Sequence, residues 1–275
     1  MNVIFSFCRA FEFRTPQIRQ TKAICELKNY ERPITKKELQ LMMDSSPIRD
    51  KAFLSIQATS GMASKEVRTL KVSEIIHMIN TNLERDYHKL NEILKDKEEL
   101  SKHVYRIIRV RKKVQYRYIT FIAPESMKHL FRYLESRTKR KNGFHITQNP
   151  NELVFVTRNG NPMNHDTVTG MYREMGKRAG FTSEPYQYRF WRSHNIRKYF
   201  YNIVEKVVGQ VYADEWLGHV PSKVTRAYAR RDDRMKEAYI KCLPYLSLET
   251  TEKSDMIRQK ISSLENQIRN LSEKL

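Results

Sequence analysis

The chain has 275 residues, enough for one or two domains, and at 40% hydrophobic and 11% aromatic it can bury a real core. Its 51 Lys+Arg against 31 Asp+Glu give a formal charge of +20, an excess that solubility does not need and that favours a polyanionic partner, nucleic acid first among them. Three cysteines (Cys8, Cys25, Cys242) without C-x-x-C or Cys/His ligand spacing argue against a disulfide framework or structural zinc and fit a reducing cytoplasm, and no apolar run approaches the ~18 residues of a membrane span.

Residues 1–30 form a basic, aromatic lead-in, too short for a domain and without the basic start and cleavage site of a signal peptide. In "RPITKKEL", Thr35 with Glu38 three residues on predicts a capping box and a helix start. The apolar period then runs to Gly61 with a break at Ser45–Pro47, which predicts two helices. "SKEVRTLKVSEIIHMI" predicts a helix followed by a strand-like or turn segment, and residues 80–103 a charged helix or surface insertion. Residues 104–123 are rich in Val, Ile, Tyr, Phe and Thr on either side of Lys112–Lys113, which predicts a hairpin or consecutive strands around a basic turn. Residues 124–141 return to helical period. A short strand over Leu153–Thr157 and an Asn-Gly turn come next, then a helix capped near Asn164 or Asp166 that ends at Gly180. From Ser193 to Pro244 the pattern is helical, with breaks at Gly218 and Pro221. In the tail, Ile257, Ile261, Leu264, Ile268, Leu271 and Leu275 alternate at spacings of 4 and 3, an a/d heptad seam. The expected fold is α+β and mainly α, with one small antiparallel sheet.

Five residues invite a chemical reading. His194 and Arg197 lie three apart, on one helical face. His219 follows Gly218, and Tyr228 comes nine residues later. A guanidinium fork matches two phosphate oxygens, a tyrosine hydroxyl can attack phosphorus, and a lysine on a hairpin, Lys113, can protonate a leaving oxygen. Taken singly, each has an ordinary explanation: a surface pair, a helix end, a core tyrosine, a solvated turn.

The order and spacing of "HNIRKYF…EWLGHVPSKVTRAY" resemble the signature of the tyrosine recombinases, the phage-integrase family: H-x-x-R, then L-G-H, then Tyr. The resemblance extends over about residues 30–250: "RPITKKEL…VSEI" is similar to the family's opening helices, and "RKKVQYRYITFIAPES" resembles the lysine-bearing hairpin of archaeal members. It implies that Tyr228 is the nucleophile of a 3′-phosphotyrosyl intermediate on double-stranded DNA and that Arg197 clamps the phosphate. It implies that His194 and His219 donate hydrogen bonds and assist proton transfer, and that Lys113, with Lys112 as the alternative, is the general acid. No metal and no other cofactor is needed. It further implies an end of a DNA-clamp region at 1–30, a catalytic domain at 31–250, a coiled-coil-like helix at 251–275, and a tetramer on DNA formed from free monomers. Prokaryotic cytoplasm, archaeal in type, is the expected setting.

The sequence departs from the family at one place. A first catalytic arginine belongs in a block like G-L-R-x-S-E; here the block is "GMASKE" and the position is Ala63. Lys65 is the candidate substitute, with Arg68, Lys37 and Arg49 the other cations considered. The alternative is a recombinase-derived DNA-binding protein with reduced or lost catalysis.

Overall fold

The computed structural model describes residues 10–11, 32–111, 115–139, 149, 151–182, 189–220 and 232–249. Tyr228, Lys112, Lys113, most of the lead-in and the heptad tail lie outside these residues.

Helix α1 (Lys36–Asp44) starts as its sequence requires: Thr35 Oγ1 accepts from the Glu38 amide and the Glu38 carboxylate accepts from the Thr35 amide at 2.8 Å. Pro47 separates it from α2 (Ile48–Ser60), which ends at Gly61 in the left-handed conformation. Helix α2 is the centre of the fold. Every residue from Ala52 to Ser60 is buried, and helices on several sides pack against it. Its small polar residues permit that close approach because each finds a partner inside the protein: Ser55 and Thr59 meet the Ser126 hydroxyl at 2.8 and 2.7 Å.

The next segment differs from its expected reading. It forms two helices, α3 (Ser64–Arg68) and α4 (Val72–Leu83), and the extended break between them is confined to Thr69–Lys71. That break is where Leu153 attaches. The Val154 amide donates to the Leu70 carbonyl, the Val72 amide to the Glu152 carbonyl, and Lys71 and Leu153 make an isolated bridge. Leu153–Thr157 is therefore not a strand: Leu153 bridges Lys71 and Val156 bridges Pro162, two isolated pairs with different partners and no ladder. Short helices α5 (Leu90–Lys95) and α6 (Lys97–Leu100) follow.

The hairpin is as the composition predicts: β1 (Tyr105–Arg111) pairs antiparallel with β2 (Tyr116–Ile122), from Tyr105 opposite Ile122 to Arg111 opposite Tyr116. Helix α7 (Pro124–Thr138) follows β2, and α8 (His165–Arg178) is capped by Asn164, whose side chain accepts from the Thr167 amide at 2.7 Å.

The last helices are α9 (Ser193–Val208), α10 (Gln210–Trp216) and α11 (Asp232–Leu246). The break between α9 and α10 was not expected; it lies at Gly209, whose φ of 98° favours glycine. Trp216 of α10 is buried among Phe121, Phe200 and Tyr239, and the Tyr239 hydroxyl donates to the Thr59 carbonyl of α2. These contacts tie the hairpin, α9, α10 and α11 to the central helix. No described helix is long and apolar enough to cross a membrane.

Candidate active site

Arg197 lies at the start of the second turn of α9, and α9 is set in place by Phe200 three residues further on. A Cβ on Gly61 would lie 2.4 Å from the Phe200 ring, so only glycine lets the helix come this close to the end of α2. Phe200 and Arg197 are three residues apart and share a face. With the ring on Gly61, the Arg197 Nη1 donates to the Gly61 carbonyl at 2.6 Å, and its Nη2 donates to the Leu217 carbonyl. Gln57 fixes the same junction from below. Its Nε2 donates to the Met62 carbonyl at 3.1 Å and to Ser193 Oγ at 2.7 Å, while its Oε1 accepts from the Tyr172 hydroxyl.

The "LGH" segment is held by the hairpin. A Cβ on Gly218, which has φ 65°, would lie 2.6 Å from the Tyr118 ring. The Tyr118 hydroxyl donates to Glu66 at 2.8 Å, and the same carboxylate accepts the Ala63 amide at 2.7 Å and lies 3.8 Å from Arg197. Burial holds the Tyr118 hydroxyl far above the usual tyrosine range, and the adjacent Glu66 charge adds to this. Burial also lowers the Arg197 pKa from its ordinary value, against the opposing influence of Tyr118 and Glu66.

His219 follows this turn. Its Nδ1 lies 2.7 Å from Asp214 Oδ1, and its amide donates to the Asp214 carbonyl. A carboxylate only accepts, so the proton sits on Nδ1 and Nε2 is left for another partner. His194 is exposed and lines a cavity of about 570 Å³ together with Ser64, Tyr172, Arg189, Arg192 and Ser193.

The structure thus brings together the block around Ala63, Arg197 and the segment ending in His219, with His194 and Ser64 on one cleft. Ala63 is the N-cap of α3 and contributes only its backbone. Lys65 is exposed on α3. Arg68 is committed to the Met163 carbonyl at 2.7 Å, Arg49 to Asp50 and the Val156 carbonyl, and Lys37 lies exposed on α1. Sequence reasoning missed Asp214, Glu66's contacts, Tyr118 and Arg111. Arg111 Nη1 donates to the Gly218 carbonyl at 3.1 Å and reaches the Leu217 carbonyl at 3.4 Å. Only the acidic residues before "LGH" and the alternation of the strand hinted at these. Among the described residues no cluster of three or more His, Cys, Asp or Glu is placed to hold a metal ion.

The fold is shared with solved recombinases. The chain matches a crystal structure of lambda integrase residues 75–356, a dimer bound to a COC′ core site, with TM-score 0.50 and 14% identity over 84% of this chain and 70% of that one. XerA recombinase matches with TM-score 0.49 and 21% identity over 87% and 72% of the two chains. XerH site-specific recombinase, in a post-cleavage complex with a palindromic difH substrate, matches with TM-score 0.49 and 16% identity over 86% and 63%. No curated protein matches the sequence. The family model described as the phage integrase family matches residues 32–235, most of the chain and every described element from α1 into the start of α11, and the chain belongs to that family.

Proposed function

We propose that the chain cleaves and rejoins double-stranded DNA as a site-specific recombinase, through a 3′-phosphotyrosyl intermediate on Tyr228. The observation that carries this reading is the Arg197 guanidinium, which bonds the Gly61 and Leu217 carbonyls and so gathers three separated motif segments at one point. In the proposed reaction the Tyr228 hydroxyl attacks the scissile phosphorus and its proton passes to His219 Nε2, the nitrogen that Asp214 leaves available. Arg197 and His194 offset the charge developing on the phosphoryl oxygens. The bond from phosphorus to the 5′-oxygen breaks, and that oxygen takes a proton from Lys113. An incoming 5′-hydroxyl reverses these steps, so no external energy source is required. The +20 charge suits a duplex partner, and the similar lambda integrase chain is described as a dimer bound to a COC′ core site. Assembly into a tetramer on DNA, with the heptad tail between protomers, belongs to the same proposal.

The alternative, binding without chemistry, is favoured by one observation: Ala63 places no cation where the family has its first arginine. A library of nicked duplexes with randomised sequence separates the two readings. The enzyme traps a denaturant-resistant protein–DNA adduct that disappears in Tyr228→Phe, whereas the binding module retains duplex without any adduct.

A further inference from the structure

The phosphate clamp of the reading above lacks a second guanidinium at position 63, and a different element carries one to the same turn. We propose that Arg111, at the end of β1, is the second phosphate-binding arginine and takes over the role vacated at Ala63.

Three observations support it. The first is shared geometry. Arg111 and Arg197 both donate to the Leu217 carbonyl, from β1 and α9 respectively. Two donors on one oxygen lie within about 6 Å of each other, a separation that one phosphate group can bridge. Among the described residues no other arginine shares an acceptor with Arg197. The second is charge. Among the described residues Arg111 makes no ion pair, whereas Arg109, two residues earlier on the same strand face, is committed to Glu74 at 2.5 Å and to the Glu66 carbonyl at 3.0 Å. Two guanidinium groups side by side over a pair of carbonyls form a site with excess positive charge, and an anion with several oxygens relieves that excess. The third is position. Arg68 and Arg49 bond carbonyls of other segments, Met163 and Val156, whereas the Arg111 guanidinium bonds the Gly218 and Leu217 carbonyls of the turn that Arg197 also reaches. Arg111 also directly precedes the Lys112–Lys113 turn.

The test uses the full chain with Arg111→Ala and Arg111→Lys, checked for folding by circular dichroism and thermal melting. Two readouts are taken: adduct formation on the randomised nicked duplexes, and the salt dependence of binding to a labelled random-sequence duplex. Adduct formation should fall about 10²–10³-fold in Arg111→Ala and recover in part in Arg111→Lys, as expected when one transition-state donor is lost. The slope of log affinity against log salt should shrink by about one phosphate contact. An adduct rate within threefold of the parent, with an unchanged slope, overturns the proposal. So does an equal loss in both variants that tracks a lowered melting temperature. If the parent itself forms no adduct, the strand-transfer reading fails, and the slope decides alone: a reduced slope keeps Arg111 as a phosphate contact, and an unchanged slope removes it.

Discussion

Glu66 of α3 and Arg197 of α9 face each other at 3.8 Å, with side chains only 12% and 11% exposed. The carboxylate is also the acceptor for the Tyr118 hydroxyl and the Ala63 amide, so one side chain answers to a strand, a helix start and the candidate clamp. Replacing Glu66 by Ala strands two donors and one buried cation together. The expected loss is about 3 kcal/mol, read by urea denaturation. Glu66→Gln keeps an acceptor and should lose about half as much. A loss below 1 kcal/mol in Glu66→Ala contradicts this account.

Gly218 allows "LGH" to lie against the hairpin. Gly218→Ala meets two separate penalties, a left-handed φ of 65° and a 2.6 Å approach to the Tyr118 ring. Together they should destabilise the fold by about 2 kcal/mol or more. A double-mutant cycle with Tyr118→Leu separates them, because a smaller side chain relieves the approach and leaves the φ penalty. Strictly additive effects would show that the ring and the glycine are not in contact.

Stability should fall on acidification through His129. Burial pushes its imidazole down to about 4, with Arg132, Lys128 and Lys51 acting in the same direction and Glu249 opposing. Between about pH 6.5 and 4 the unfolded chain binds a proton that the folded chain refuses, so stability drops as pH falls through that window and levels off below it. The drop is at most about 3 kcal/mol. Burial raises Glu125 on the same helix, which works the other way just above the usual carboxylate range. Comparing His129→Leu with the parent isolates the histidine: denaturation midpoints at pH 7 and pH 5 should differ less in the variant.

Placing an arginine at 63 tests whether that position and Arg111 serve one proposed phosphate clamp. Ala63 has φ −66° and ψ 149°, an extended conformation open to any side chain. Ala63→Arg should raise adduct formation at least tenfold in an Arg111→Ala background and by less than that in the parent. Equal gains in both backgrounds would mean the two positions serve different ends.

What the sequence reveals about this molecule follows the range of each interaction. The Thr35–Glu38 box, the Pro47 break, Gly61, the hairpin around Lys112–Lys113 and the Asn164 cap are decided within a few residues, and their signals are local. Gly209 carries no local signal of a break, because its neighbours keep helical character on both sides and its φ of 98° separates α9 from α10. Leu153–Thr157 has strand composition but finds only two isolated bridges, to Lys71 and to Pro162, and no strand to pair with. In the candidate site, the order of His194, Arg197 and His219 pointed to one locality. The supporting set of Glu66, Tyr118, Arg111 and Asp214 was not legible, because charged and aromatic residues in strands and helix ends carry no mark of the distant carbonyl or carboxylate they will meet. Arg137 is a further case: a cation only 5% exposed, held by the Leu153 and Val154 carbonyls.

The bond from Arg197 to the Leu217 carbonyl joins the two ends of a bent helical pair whose bend is Gly209. The chain runs out along α9 and returns along α10, so the number of residues between the arginine and the histidine measures a physical length and a rotation. One residue added inside α9 would turn Arg197 by about 100° relative to the bend, and its guanidinium would leave both carbonyls at once. The dimensions of a helix should therefore hold the interval between these two motif residues constant, with variation in this region of the chain by substitution and insertions and deletions confined to its ends.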